Sequence, residues 1–208
     1  MAMAQPSPRS YIMRARAASS AQTADAILEA AYAQFTTKSY DDVSLADVAN
    51  GAGVAIKTVL RRFGSKDGLL LAVARKYRAR EHAERRVPDG DIPAAARLLA
   101  GRYEESMDML ARFWPLEDRV ASIGSVLANA RAFHRGWLSK TFAPYLPRRR
   151  GALHERRLCE LVGATELYTW HLWRRRMGAS AATAEQALIE TLRALVAHWA
   201  PERRASDG

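Results

Sequence analysis

The side chains able to do covalent or metal chemistry are few in this sequence and poorly spaced for it. His82, His134, His154, His171 and His198 include no i,i+4 pair and no His-Glu-x-x-His run, so no two of them share one helical face as zinc ligands. The lone cysteine, Cys159, lies beside Arg156 and Arg157, cations that lower a thiol pKa, yet it sits among apolar positions at helical spacing, where a buried structural thiol is the commoner outcome. One cysteine makes neither an internal disulfide nor a cysteine zinc cage. There is no phosphate-cradling glycine loop and no nucleophile elbow. These absences argue against an enzyme: no catalytic residue, metal or cofactor is read from the chain. The side chains with coherent chemistry are instead cationic and close together. Lys57 and Arg61 suit guanine edges or phosphates, Thr58 suits a phosphate hydrogen bond, and Ile56 suits a thymine methyl. Ser44, at a predicted helix N-terminus, suits a phosphate held by backbone amides and a hydroxyl.

The elements that must position these residues follow from the apolar spacing. Ala24, Ile27, Leu28, Ala31 and Phe35 stripe a first helix over 21–37. Ser44-Leu45-Ala46-Asp47 reads as a capping box opening a short helix to about Asn50. Gly51-Ala52-Gly53 is a tight turn, with Gly53 suited to positive φ. A second short helix fits 55–63, with Val48, Ala52, Val54, Val59 and Phe63 inward and Ile56, Lys57, Leu60 and Arg61 outward or flanking. Gly64 ends it and Ser65 caps a long helix to about Arg86. Two short helices joined by a glycine turn are the outline of a helix-turn-helix, whose second helix enters a DNA major groove.

Beyond the linker Pro88–Pro93, helical spacing continues over 94–114, 117–142, 152–177 and 181–200, with breaks at Pro144–Pro147 and Arg148–Gly151. No strand-like alternation of any length occurs, and the fold class expected is all-α. The last two stretches carry wide apolar faces, and a helix apolar on two sides packs on two partners.

The words of the segment now carry a likeness. Ile27-Leu28-Glu29-Ala30-Ala31, Phe35, Tyr40, Val43-Ser44-Leu45-Ala46-Asp47-Val48-Ala49, Ala52-Gly53-Val54, Thr58-Val59 and Phe63-Gly64-Ser65-Lys66-Asp67-Gly68-Leu69-Leu70 resemble the tetracycline-repressor-like (TetR) family over about 45 contiguous residues. The resemblance implies a three-helix DNA-binding head joined to a helical ligand-binding and dimerisation domain. It implies a homodimeric regulator, most often a repressor, that binds a palindromic operator in double-stranded DNA and is released by a small molecule. It places Lys66 for a DNA-backbone contact. Two departures stand out. Ala55 occupies a position where the family usually has a capping Ser or Thr, and a missing cap costs about 1 kcal/mol. Leu60-Arg61-Arg62 stands where the family often has Tyr and then an aromatic or His, so Arg61 and Arg62 take over the expected tyrosine phosphate contact. The DNA-facing set expected is therefore Ser44, Ala55, Ile56, Lys57, Thr58, Leu60, Arg61, Arg62 and Lys66.

The domains expected are a flexible basic arm over 1–20, the head over 21–66, the ligand and dimer domain over 67–200 and a tail over 201–208. Tyr103, Met107, Phe113, Trp114, Phe133, Trp137 and Tyr168 are the candidate pocket lining, for an effector that is partly apolar or aromatic. Leu161, Thr165, Leu172, Leu188, Leu192, Leu195 and Trp199 are the candidate dimer seam.

Length and charge agree. The 208 residues are 49% apolar, ample for a packed core, with 32 Lys+Arg against 22 Asp+Glu, a net +10 that favours a polyanionic partner. Residues 1–80 hold 12 Lys+Arg and 6 Asp+Glu, so the excess is concentrated toward the head. Arg9, Arg14 and Arg16 precede the first acid, Asp25, and extend that footprint as an arm in the minor groove or stay a free tail. The runs Arg148–Arg150 and Arg203-Arg204 read as solvated loop and tail rather than a membrane surface. No apolar run approaches the ~20 residues that cross a bilayer. The cytoplasm is the compartment expected.

Overall fold

A computed structural model describes residues 8–206. Within that range the chain is helical: α1 Pro8–Thr37, α2 Leu45–Gly51, α3 Ile56–Phe63, α4 Lys66–Glu84, α5 Ile92–Phe113, α6 Ala121–Thr141, α7 Ala152–Thr165, α8 Leu167–His171 and α9 Ala181–Ser206. No strand occurs among the described residues.

Two buried clusters organise these helices. The first gathers Ile27, Ala31 and Phe35 of α1, Val48 of α2, Val59 of α3 and Leu69, Leu70 and Val73 of α4. It also takes in Phe113 at the end of α5 and Ile123 and Leu127 near the start of α6. A three-helix unit this small buries too little to stand alone, and here it closes by borrowing those two helix ends. The second cluster lies among α5–α9, around Leu99, Met107, Leu138, Leu161, Trp170 and Leu192.

Helix starts follow local chemistry. The Ser44 hydroxyl accepts from the Asp47 amide at 3.0 Å, and Ser65 does the same for Gly68 at 3.1 Å. The Asp47 carboxylate pairs with Lys38 at 3.3 Å. Asp91 caps α5 through the Ala94 amide at 2.9 Å, with Pro93 in the first turn. Gly53 turns between α2 and α3 at φ 64°, a left-handed conformation that L side chains resist. Gly68 serves a different need: a Cβ there would lie 2.0 Å from the Phe63 carbonyl oxygen, so only glycine lets the end of α3 cross α4 this closely.

Two elements differ from the sequence expectation. The segment 152–177 is not one helix. Glu166 is extended (φ −68°, ψ 144°) and divides α7 from α8, which runs on into a π-helical turn over Leu172–Arg176. The cause lies at Thr165: its carbonyl accepts the Tyr103 hydroxyl, and its own hydroxyl donates to Leu161 and meets His134 Nε2 at 2.9 Å. Tertiary polar contacts thus take groups a continuing helix would use. The other difference is at the start. The basic segment read as a flexible arm over 1–20 is helical from Pro8, continuous with α1; residues 1–7 of that arm, and Asp207 and Gly208 of the tail, lie outside the described residues.

Candidate nucleic-acid interface

The side chains of α3 sort by helical register. Val59 points into the head core with no exposure, and Val54 and Phe63 pack half-buried against the same cluster. Ile56 and Leu60 are 43% and 41% exposed, and Lys57 and Arg61 are exposed beside them. Exposed large apolar residues on an otherwise cationic helix are unusual for a bare surface and suit a face made to meet a partner. Ala55 takes an N-cap backbone (φ −72°, ψ 144°) with no side-chain cap bond, so the first turn of α3 lacks a side-chain acceptor.

Two of the sequence-derived contact side chains are engaged by the head itself. Arg62 is half-buried and donates through Nη2 to the Ser20 hydroxyl of α1 at 2.8 Å. Lys66 donates to the carbonyls of Tyr40 at 2.9 Å and Asp41 at 3.3 Å, with its ammonium 4.5 Å from the centre of the Tyr40 ring. Thr58 is half-buried in the first turn of α3, its amide bonded to the Ala55 carbonyl at 2.8 Å. Ser44 is exposed at its cap. Ser44, Ala55, Ile56, Lys57, Leu60 and Arg61 are thus each exposed on the head, while Arg62 and Lys66 hold α1 and the α1–α2 turn to it.

The head is tied to the remaining helices at the same corner. Asp67, in the first turn of α4, accepts the Tyr40 hydroxyl at 2.6 Å and the hydroxyl of Ser122 in α6. These bonds, Ser122 first and then Tyr40, hold its carboxyl below the usual range. Burial, and then the Asp67 carboxylate, push the Tyr40 phenol up to about 12. Arg112 of α5 donates to the Thr36 carbonyl, and Arg119 pairs with Asp41 at 2.7 Å. The sequence gives no sign of Ser122, Arg112 or Arg119, because each acts across more than fifty residues of chain.

The candidate pocket residues are spread over several packing environments. Phe113 belongs to the head core, and Met107 is fully buried among α5–α9. Trp114 stacks on the half-exposed Tyr168 at 3.9 Å. Phe133 stacks on His82 at 3.8 Å, and Trp137 donates to the Arg85 carbonyl at 3.3 Å. Tyr103 is occupied with Thr165. A cleft of about 300 Å³ lies elsewhere, lined by Ile92, Tyr145, Arg193, Val196, Ala197, Trp199 and Ala200. Among the aromatics sits a polar group that spacing did not mark: Arg85, at the end of α4, bonds Glu81 at 2.8 Å and His134 Nδ1 at 3.2 Å. Burial, then the Arg85 charge, push the His134 imidazole down to about 3, so it stays neutral.

Of the candidate seam, Leu161, Thr165, Leu188, Leu192 and Trp199 are buried in the chain's own second cluster. Leu195 packs half-buried at its edge and Leu172 is 48% exposed. Two-sided apolar helices explain this: the inner face, which the longest leucine stripe marks, closes the protomer. Cys159 is exposed rather than buried. Among the described residues no three His, Cys, Asp or Glu side chains converge as metal ligands, and no helix is long and apolar enough to cross a membrane.

Comparison with known proteins agrees with this geometry. Residues 27–73 match the profile of bacterial regulatory proteins, tetR family. No curated protein matches the chain by sequence. A transcriptional regulator from Rhodococcus sp. Rha1 superposes with a TM-score of 0.62 at 18% identity, covering 86% of this chain and 97% of its own. A TetR transcriptional regulator from the same genus superposes at 0.50 and 23% identity, covering 85% and 95%. At these identities the likeness is one of fold, along nearly the whole length of each relative.

Proposed function

From the premise that this chain belongs, through residues 27–73, to the tetR family of DNA-binding transcriptional regulators, we propose that it is a homodimeric repressor. It binds a palindromic operator and releases it when a small molecule binds. The observation that carries the reading is the outward face of α3: Ile56, Lys57, Leu60 and Arg61 stand exposed over a helix that Val59 anchors in the core. Lys57 and Arg61 read base edges or phosphates, Ile56 and Leu60 meet thymine methyls, and the Ser44 hydroxyl with the α3 N-terminus takes phosphates. Arg62 and Lys66 touch backbone phosphates while holding α1 and the α1–α2 turn in place.

Two such heads, about 34 Å apart, read the two halves of a palindrome. Tyr168, Leu172 and Met177, which are 48%, 48% and 68% exposed, support a second copy packed near the α8 turn. The working division remains an arm over 1–20, a head over 21–66, a ligand and dimer domain over 67–200 and a tail over 201–208. An effector that is partly apolar or aromatic enters the second of these domains among Tyr103, Phe133, Trp137 and their neighbours. It then favours a head spacing that no longer fits DNA. Such a regulator works in the cytoplasm, where its operator is.

The test is a binding selection from random duplex DNA with the full chain. Enrichment of one palindrome, bound by two chains per site, supports the reading. Salt-dependent binding that enriches no sequence overturns it, because charge alone gives the salt dependence without the preference.

A further inference from the structure

Residues 16–22 of α1 are exposed on every side, and the next buried residue of the helix is Ile27. The composition makes the helix affordable by itself: Ala17, Ala18 and Ala21 are strong helix formers. It also gives it one sign of charge, since Arg9, Arg14 and Arg16 occur before the first acid, Asp25. Within this stretch Arg62 of α3 donates to the Ser20 hydroxyl. That bond holds Ser20 beside α3, the helix read above as the one that meets DNA.

Register then decides which cations share that side. Arg16 lies one turn before Ser20, and Arg9 lies two further turns back, so the three positions fall along one face. Arg14 is two residues from Arg16 and falls on the other side of the helix. From Ser20 back to Pro8 the helix covers about 18 Å at 1.5 Å per residue, the axial length of about five base pairs.

We propose that this helical extension is a phosphate grip on the DNA flanking each half-site, made by the face that carries Arg9 and Arg16. The inference rests on the DNA-binding reading above. Because the segment is a helix carried at a fixed angle, its contacts go to backbone phosphates without reading sequence. An extended arm lying in the minor groove would instead show a preference for A·T flanks.

The experiment compares the full wild-type chain with R9Q/R16Q and with R14Q on the selected operator. Each is titrated at several salt concentrations, on a duplex with ten flanking base pairs at each end and on one trimmed to the operator. R9Q/R16Q is expected to flatten the salt slope by roughly 3 to 4, from four phosphate contacts per dimer at ~0.9 each. R14Q is expected to keep the wild-type slope, and trimming is expected to weaken the wild type but not R9Q/R16Q. Equal slopes for all three proteins overturn the proposal, as do equal losses in R14Q and R9Q/R16Q or a dependence on A·T content in the flanks. A wild-type chain that enriches no operator overturns the DNA-binding reading itself, a separate outcome visible before any variant is made.

Discussion

Ala55 offers a way to separate the folding of α3 from its meeting with DNA. Its backbone already has the extended N-cap form, close in ψ to that of Ser44 (142° against 144°), where the hydroxyl caps at 3.0 Å. Ala55→Ser should therefore add one cap bond without moving the chain, a gain of about 1 kcal/mol. For a chain of this length that raises the melting temperature by roughly 2–4 °C. Ala55→Asp should stabilise to a similar degree, since its carboxylate caps the same amides and faces the positive end of the helix. On DNA the two part company. A carboxylate about 4 Å from a phosphate is repelled by at least ~1 kcal/mol per head, even with the dielectric constant of water. Two heads then give a loss of ~2 kcal/mol, about 30-fold in operator affinity. Thermal unfolding and fluorescence anisotropy on the same protein preparations measure both quantities. An Asp variant that melts higher and binds as the wild type does would refute the placement of the α3 N-terminus against phosphate. A Ser variant with an unchanged melting temperature would refute the claim that this helix end lacks a cap worth having.

Three further outcomes are expected. Arg61→Ala should weaken operator binding by more than ~1 kcal/mol with no change in melting temperature, whereas Arg62→Ala should lower the melting temperature by releasing α1 at Ser20; melting curves and titrations on both variants check the split. Tyr103→Phe should cost about 1–3 kcal/mol in urea unfolding, because the buried Thr165 carbonyl loses its donor. Stability should fall as pH drops from about 6.5 toward 3, since the unfolded His134 takes up a proton there and the folded one, pushed down to about 3, does not. Asp67, held below its ordinary value, stabilises above the unfolded carboxylate pKa and loses that contribution as pH falls from there through its lower folded value. Urea midpoints between pH 7.5 and 5 should thus report His134, and His134→Gln should flatten the profile.

The head is legible from the sequence because its signals are local. A serine cap, a glycine turn and a buried Val59 lie within a few residues of the groups they fix, so the order of helices and the outward face of α3 could be read directly. What could not be read are pairings across long stretches of chain. Spacing alone showed α7 and α8 as one helix, since nothing near Thr165 reveals that Tyr103, sixty-two residues earlier, takes its carbonyl. Lys66 reads as a free cation until the fold brings the Tyr40 and Asp41 carbonyls to it. The stripe Leu188–Leu192–Trp199 shows an apolar face, but periodicity does not say whether that face looks toward its own chain or toward another, and here it looks inward. The N-terminal arginines read as a flexible arm because repelling charge masks the strong helix propensity of the alanines that follow them.

The first buried cluster draws Phe113, Ile123 and Leu127 in beneath α1 and α4, and Ser122, Arg112 and Arg119 bond across the same boundary. The DNA reader and the body beneath it therefore cannot be exchanged as interchangeable parts. A chimaera that transplants residues 27–73 onto another regulator's body would arrive with the underside of its core uncovered, and a foreign head grafted here would meet a socket cut for Phe35 and Leu69. Specificity could be re-engineered more safely by recolouring the outer face of α3 in place, leaving the graft line to run around the ends of α5 and α6 instead of between the helices and the head.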